Sequence, residues 1–173
     1  MVLFDPVFGN QDVGTAGNAR AEPKAMNNLG DIVGTHDGLD NYFRAVLWKA
    51  IARPAMDVQP GEIRLARTKT VTVYLLSDAR FDAATVDVGT TLLYLNGGTT
   101  GVRVATGKGG APSTGVVDVN ADGRPDRSFT YNVADLKAAG LTTATTSWVL
   151  KNMSEPLTRR PFHATDATPR RVL

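Results

Sequence analysis

The most informative absence in this chain of 173 residues is cysteine, of which it has none. A disulfide, a zinc–thiolate centre and a cysteine nucleophile are therefore all excluded. No apolar run approaches the roughly 20 residues that span a bilayer, so the sequence predicts no membrane span. The first residues, MVLFDPVFGNQDVGTAG, also lack the basic start and apolar core of a secretory signal.

Clustered positive charge is scarce as well. The formal net charge is only +2, and much of the excess lies from Arg159 onward, where four arginines face a single acid. The rest of the chain is close to neutral. A nucleic-acid-binding surface needs clustered positive charge to displace counterions from phosphates, so we expect no nucleic-acid partner. Prolines interrupt residues 153–173, and we predict a solvated, weakly ordered C-terminal tail there.

Recognisable catalytic patterns are missing too. The two histidines, His36 and His163, have no ligand spacing to each other or to an acid. Ser77 and Ser154 each precede an acid, but no G-x-S-x-G elbow accompanies them. The GKGG stretch at 107–110 lacks the ending and the strand-loop-helix setting of a phosphate-binding loop. The sequence therefore predicts a protein that is not an enzyme.

Short stretches of strand type, separated by Gly- and Asp-rich turns, recur along the chain. They cover residues 31–34, 42–49, 71–77, 91–96, 102–106, 115–119, 128–133 and 145–152. This spacing favours two antiparallel sheets packed face to face. One helix is predicted over residues 134–141, with Gly140 as its C-terminal cap. The predicted fold class is all-β: an antiparallel β-sandwich with one short helix and a small N-terminal hairpin unit.

Four segments follow from this pattern. Residues 1–24 form an extended N-terminal arm with strand-like pieces at 2–4 and 6–8, and residues 25–54 form the hairpin unit. Residues 55–152 form the sandwich domain, and residues 153–173 form the Pro- and Arg-containing tail.

The stretch VVDVNADGRPDRSFTYNV, residues 116–133, concentrates oxygen ligands in a spacing typical of calcium loops. Taking the first acid as position one, side chains or a carbonyl at positions one, three, five, seven and nine can coordinate an ion. The candidate ligands are Asp118, Asn120, Asp122, the carbonyl of Arg124, and Asp126. Hard oxygen ligands suit Ca²⁺ better than Mg²⁺. A metal-free turn is the alternative, and the joint match of ligands and Gly123 favours a structural calcium ion.

This loop differs from a helix-loop-helix calcium site because position twelve is Phe129 and strands flank it. It resembles the shorter D-x-[DN]-x-D-G-x-x-D loop of integrin-type FG-GAP blades and of many bacterial extracellular proteins. That resemblance implies that the residue at position nine, here Asp126, binds the ion directly.

Two longer resemblances cover the chain on either side of residue 55. From residue 56 to about 150, the segments MDVQPG, TVTVYLLS, FDAATVD, DVNADGRPD, ADLKAAGL and TTSWVL resemble a C-terminal β-sandwich domain of bacterial secreted and surface proteins. The resemblance implies a module without enzymatic activity. The opening MDVQPGEIRLARTKT is shorter than is usual in that domain.

Residues from about 25 to 49 resemble a single extracellular HAF repeat. The matching positions are Asn27, Gly30, Val33, Gly34, Ala45, Leu47 and Trp48, whereas Met26 and Val46 replace the commoner Ile and Phe. A unit of this size cannot bury its apolar face alone and normally stacks on neighbours. The resemblance therefore implies a surface that the repeat covers.

Two functions remain open at this point. The first is a non-enzymatic, calcium-stabilised structural or interaction module of a surface or secreted assembly, located outside the cell or at its surface. The alternative is a phage capsid decoration protein, located in the virion, which docks through its N-terminal arm. The start at Met1 without a signal favours the second, although an added Met1 on a cloned fragment explains it equally well.

The expected partner is another protein or a second copy, bound through residues 1–24. Carbohydrate is less favoured, because Trp48 and Trp148 both lie in apolar runs that predict core positions.

Overall fold

The computed structural model describes residues 2–5, 9–12, 21–28, 31–37, 43–48, 52–152, 162–166 and 170–173. By its internal contacts the chain divides into two compact units, Met1–Ala50 and Ile51–Leu173. Among the described residues, no helix is long and apolar enough to cross a membrane.

The first unit contains two small antiparallel sheets. Strands β1 (Val2–Asp5) and β2 (Gly9–Asp12) pair with each other. Strands β3 (Ala21–Met26), β4 (Ile32–Asp37) and β5 (Phe43–Trp48) form a three-stranded sheet with β4 in the centre. The predicted hairpin is thus confirmed, and β3 extends it by one strand. The strand-like piece expected at 6–8 lies outside the described residues.

The second unit contains ten strands, one α-helix and two short 3-10 helices, Ala83–Thr85 and Val88–Thr90, among its described residues. The strands are β6 (Met56–Gln59), β7 (Glu62–Ile63), β8 (Thr70–Leu75), β9 (Thr91–Leu95), β10 (Val102–Arg103), β11 (Thr114–Val117), β12 (Asp126–Asn132), β13 (Trp148–Asn152), β14 (Phe162–Thr165) and β15 (Arg171–Val172). Two four-stranded antiparallel sheets result, in the orders β11–β12–β8–β6 and β10–β9–β13–β14. The predicted all-β sandwich is confirmed.

The core of this unit follows from the period-two alternation of its strands. Every second residue of β8 and of β9 is buried, because successive side chains point to opposite faces of a sheet. Val73 and Phe129 from one sheet join Leu93, Trp148 and Leu150 from the other in a single buried cluster. Each fully buried side chain of this size contributes roughly 1.5–3 kcal/mol.

The helix, α1 (Val133–Ala138), directly follows β12 and places Val133 and Leu136 in the core. The helix ends at Ala138, and Gly140 just beyond it has a φ of 103°, in a region that side-chain-bearing residues rarely adopt. There the N–H of Leu141 donates to the carbonyl of Leu136 at 2.9 Å, which satisfies a carbonyl at the helix end. The single short helix predicted at 134–141 is therefore confirmed.

The C-terminal residues belong to the folded unit. Strand β14 pairs antiparallel with β13, β15 pairs parallel with β7, and Val172 is buried in the core. The buried guanidinium of Arg170 contacts the carboxylates of Asp57 and Asp166. The prediction of a solvated tail is wrong for residues 162–166 and 170–173. Their strands are only two to four residues long, too short for the alternation of apolar and polar residues to be recognised in the sequence.

Two buried polar atoms have no hydrogen-bond partner among the described residues: the hydroxyl of Tyr131 and the indole nitrogen of Trp148. Burial raises the pKa of Tyr131, because the phenolate would have to form away from water. The core position expected for Trp148 is confirmed, and the side chain of Trp48 lies outside the described part of the chain.

Candidate metal centre

The acidic loop lies at the turn of a hairpin. Strands β11 and β12 pair in a register that ends at Val117 opposite Asp126, so residues 118–125 connect the two strands. Asp118 directly follows β11, and Asp126 is the first residue of β12. All of the connecting residues are exposed. The loop is therefore held at both ends by the sheet and open to solvent in between.

Asp118 organises the turn. One of its carboxylate oxygens accepts a hydrogen bond from the N–H of Gly123 at 2.9 Å, and the other accepts from the N–H of Asp122 at 3.2 Å. The side-chain oxygen of Asn120 accepts from the same Asp122 N–H at 3.2 Å. Gly123 and Ala121 have φ values of 82° and 56°, which reverse the chain direction. The loop thus wraps around the carboxylate at position one.

Asp122 makes its contacts with Arg124. Its carboxylate accepts from the backbone N–H of Arg124 at 2.9 Å and contacts the guanidinium at 3.2 Å. The backbone hydrogen bond, followed by the side-chain hydrogen bond and the positive charge of Arg124, lowers the pKa of Asp122 despite an opposing effect of desolvation. The carboxylate is therefore negative at neutral pH and accessible to a cation that displaces the arginine side chain.

Asp126 differs from the other three side-chain candidates because it is fully buried. One carboxylate oxygen accepts from the N–H of Ser77 at 2.8 Å, and the other accepts from the N–H of Val119 at 2.9 Å. Both contacts are charge-assisted, the stronger class of hydrogen bond in proteins. Asp126 thereby ties the start of the loop to the segment that follows β8.

A second buried residue, Ser77, adds further hydrogen bonds between the loop and the segments that follow β8. Its hydroxyl donates to the carbonyl of Pro125 at 2.6 Å and accepts from the N–H of Ala83 at 2.9 Å. The guanidinium of Arg127 contacts the carbonyls of Ala83 and Ala84. The sequence showed Ser77 only as a hydroxyl beside an acid. Its structural role depends on a partner 49 positions away, which local spacing does not reveal.

The oxygen atoms of the loop can be compared with the ligands that a calcium ion requires. Asp118, Asn120 and Asp122 offer exposed oxygens of the type that Ca²⁺ prefers, and a carboxylate that accepts one backbone hydrogen bond per oxygen retains further lone pairs. No three histidine, aspartate or glutamate side chains in the described part of the chain form a group that could hold a metal ion. The exposed oxygens of Asp118, Asn120 and Asp122 are therefore of the chemical type that calcium binds, and the buried Asp126 holds the loop beneath them.

The two histidines and the GKGG stretch are the other residues that the sequence singled out, and none of them belongs to the acidic loop. His163 is half-buried on β14 opposite Lys151, and burial, followed by the charges of Lys151 and Arg53, lowers its pKa. His36 lies on β4, and its side chain is not among those described. The glycines at 107–110 form an exposed turn closed by a bridge between Thr106 and Pro112, and no helix follows it.

No protein-family model matches this chain, and neither the curated proteins nor the solved structures contain a match to it.

Proposed function

We propose that this protein is a non-enzymatic structural or interaction module of a surface or secreted assembly, located outside the cell or at its surface, and that a calcium ion stabilises it. The observation that carries the proposal is the acidic loop, in which three oxygen-bearing side chains at alternate positions lie exposed around one turn. Calcium at the millimolar level found outside cells occupies sites of modest affinity.

The anchoring of the loop supports a stabilising role for the ion. Asp126 and Ser77 connect the loop to the segment that follows β8 and to the turn at Ala83. An ion that fixes the exposed ligands therefore also restrains these two segments. An ion held there binds the folded state and not the unfolded chain, and it stabilises the fold by mass action.

The buried ionisable groups support a non-catalytic role. Asp126 holds two backbone N–H groups, and Asp166 holds the guanidinium of Arg170. Tyr131 lies in the core and is fully buried. Neither Asp126 nor Tyr131 is hydrogen-bonded to a side-chain base among the described contacts, whereas general acid–base catalysis needs such a partner.

The test is the melting temperature in calcium and in chelator. With a dissociation constant of about 10⁻⁴ M, about 10 mM calcium adds roughly 2.7 kcal/mol of stability. For a unit of this size that corresponds to a rise of roughly 5–15 °C. Asp122→Ala is expected to abolish the rise, because it removes a ligand from the exposed face. Magnesium at the same concentration should have a smaller effect, since it demands stricter octahedral geometry.

Asp82→Ala provides the matched control. Asp82 is exposed and accepts a hydrogen bond from the N–H two residues later at 2.9 Å, as Asp122 does, but it lies outside the loop. The control should melt lower in both conditions and keep the full calcium response. An equal response in the wild-type chain and in Asp122→Ala would disprove the site, and so would the absence of any response in the wild type.

A further inference from the structure

One edge of the sandwich has no covering segment among the described residues. Strand β11 ends the sheet order β11–β12–β8–β6, and no backbone hydrogen bond joins Thr114–Val117 to any described segment other than β12. A free edge presents unpaired N–H and C=O groups to solvent, and proteins normally block such edges with charge, proline, bulges or covering segments. Strand β11 contains neither proline nor a charged residue, and its register with β12 has no bulge.

The other three edges of the two sheets are blocked. Strand β10 has only two residues, one of which is the exposed Arg103. The N–H of His163 in β14 donates to the carbonyl of Ala52, which covers that edge. Strand β6 is bridged to Asp166 and is followed by Pro60. Among the described residues, β11 is therefore the one edge of the two sheets that lacks such a block.

Exposed apolar side chains cluster on the same strand. Among the described residues of the second unit, the exposed large hydrophobic side chains are Val116, Val117, Val119 and Leu173, with exposed fractions of 55%, 45%, 36% and 45%. Val116 and Val117 are successive residues, so they point to opposite faces of the sheet. Because both are exposed, β11 extends beyond the cover of the opposite sheet. A strand added alongside it would shield both faces.

We infer that β11 pairs with β11 of a second copy of this chain, antiparallel and across a two-fold axis near Val116. Charge favours this partner and this direction. The exposed turn before β11 contains Lys108 and no acid, whereas the exposed loop after it is net negative, with two acids, Asp118 and Asp122, and one base, Arg124, which pairs with Asp122. Antiparallel pairing sets the basic end of each copy beside the acidic end of the other, but parallel pairing would bring the acidic ends together. A two-fold axis closes the assembly at two copies.

This interface gives the proposed assembly a partner. A calcium ion in the loop would offset the negative charge that favours antiparallel pairing, so the molar mass is measured in chelator. The readouts are separate, because the calcium site is tested by melting temperature and the interface by molar mass. Either proposal can therefore fail without the other.

Light scattering and sedimentation of the full chain test the inference. A strand-to-strand interface is small, so we expect a weak dimer whose molar mass rises with concentration between about 10 μM and about 1 mM. The limit is twice the 18.4 kDa of the chain. Val116→Lys should leave a monomer throughout, since a lysine blocks an open edge. Lys108→Glu should weaken the dimer by placing like charges together.

Leu173→Lys provides the control, because it adds the same charge at an exposed large hydrophobic position outside β11 and its loop. It should dimerise like the wild-type chain. Circular dichroism melts of each variant establish that it is folded. A wild-type monomer at every concentration would overturn the inference, as would a dimer retained in Val116→Lys or a mass that grows beyond two copies.

A second measurement does not depend on weakening the contact. Since the chain has no cysteine, Val116→Cys introduces a single thiol close to the proposed axis. Directly opposed residues of an antiparallel pair have Cβ atoms about 4.5–5.5 Å apart, which a small approach of the two strands brings to the roughly 3.5–4.5 Å of a disulfide. Oxidation should give a covalent dimer from Val116→Cys and none from Leu173→Cys. Equal cross-linking of the two variants would exclude the β11 interface.

Discussion

Replacing Asp126 with alanine is predicted to destabilise the second unit by about 3 kcal/mol, with or without calcium. The buried carboxylate accepts hydrogen bonds from the N–H groups of Ser77 and Val119 at 2.8 and 2.9 Å. A hydrogen bond to a charged group contributes roughly 1.5–3 kcal/mol, so the pair contributes about 3–6 kcal/mol. We expect the lower end of that range, because Val119 is partly exposed and water can replace its lost partner.

The assay is urea unfolding of wild type and Asp126→Ala, each in chelator and in calcium. A loss of about 3 kcal/mol corresponds to a fall in melting temperature of roughly 6–17 °C for a unit of this size. Asp126→Asn should show an intermediate loss, since the amide keeps one acceptor oxygen and turns its NH₂ towards a backbone donor. If Asp126→Ala matches the wild type in chelator and is weaker only in calcium, Asp126 is a metal ligand and the anchoring argument is refuted.

Three further predictions concern the core and the C-terminal strands. Arg170→Met should cost about 3 kcal/mol in urea unfolding because it leaves the buried Asp166 carboxylate without its cation, whereas Arg171→Ala, at an exposed neighbour, should cost little. Tyr131→Phe should raise the unfolding free energy by about 1 kcal/mol, since its buried hydroxyl has no partner among the described residues, and a clear loss would reveal one. The pKa of His163 is lowered in the folded state, so the unfolded chain takes up the proton first; stability should fall as the pH drops below about 6.5, and His163→Gln should flatten that fall in melts between pH 5 and 8.

The strands that the sequence predicted are those with a clear period of two. Residues 70–75 and 128–132 alternate between apolar and more polar side chains, so their burial could be anticipated from sequence alone. Strand β3 could not, because Pro23 and two charged neighbours interrupt its pattern and its register shifts after Pro23. Strands β14 and β15 were missed because each is short and is defined by a partner distant in sequence.

The acidic loop shows a different limit of sequence reasoning. The spacing predicts that Asp118, Asn120, Asp122 and Asp126 point towards one ion, with the turn at Gly123 bringing the later oxygens back to it. Spacing does not reveal that Asp126 is fully buried, nor that its carboxylate accepts hydrogen bonds from the N–H groups of Ser77 and Val119. Its partner Ser77 lies 49 positions earlier, a pairing that only the folded sheet defines.

The closure of the second unit by β14 and β15 has a consequence for synthesis on the ribosome. Arg170 contacts Asp57 across 113 positions, and Leu65 donates to the carbonyl of Leu173. At roughly 5–20 residues per second, about 6–23 s pass between the synthesis of Asp57 and that of Arg170. During that time the nascent chain lacks β15, the pairing partner of β7. Native folding of this unit therefore finishes only when its last strands emerge, and until then the nascent chain exposes sheet edges to which chaperones can bind.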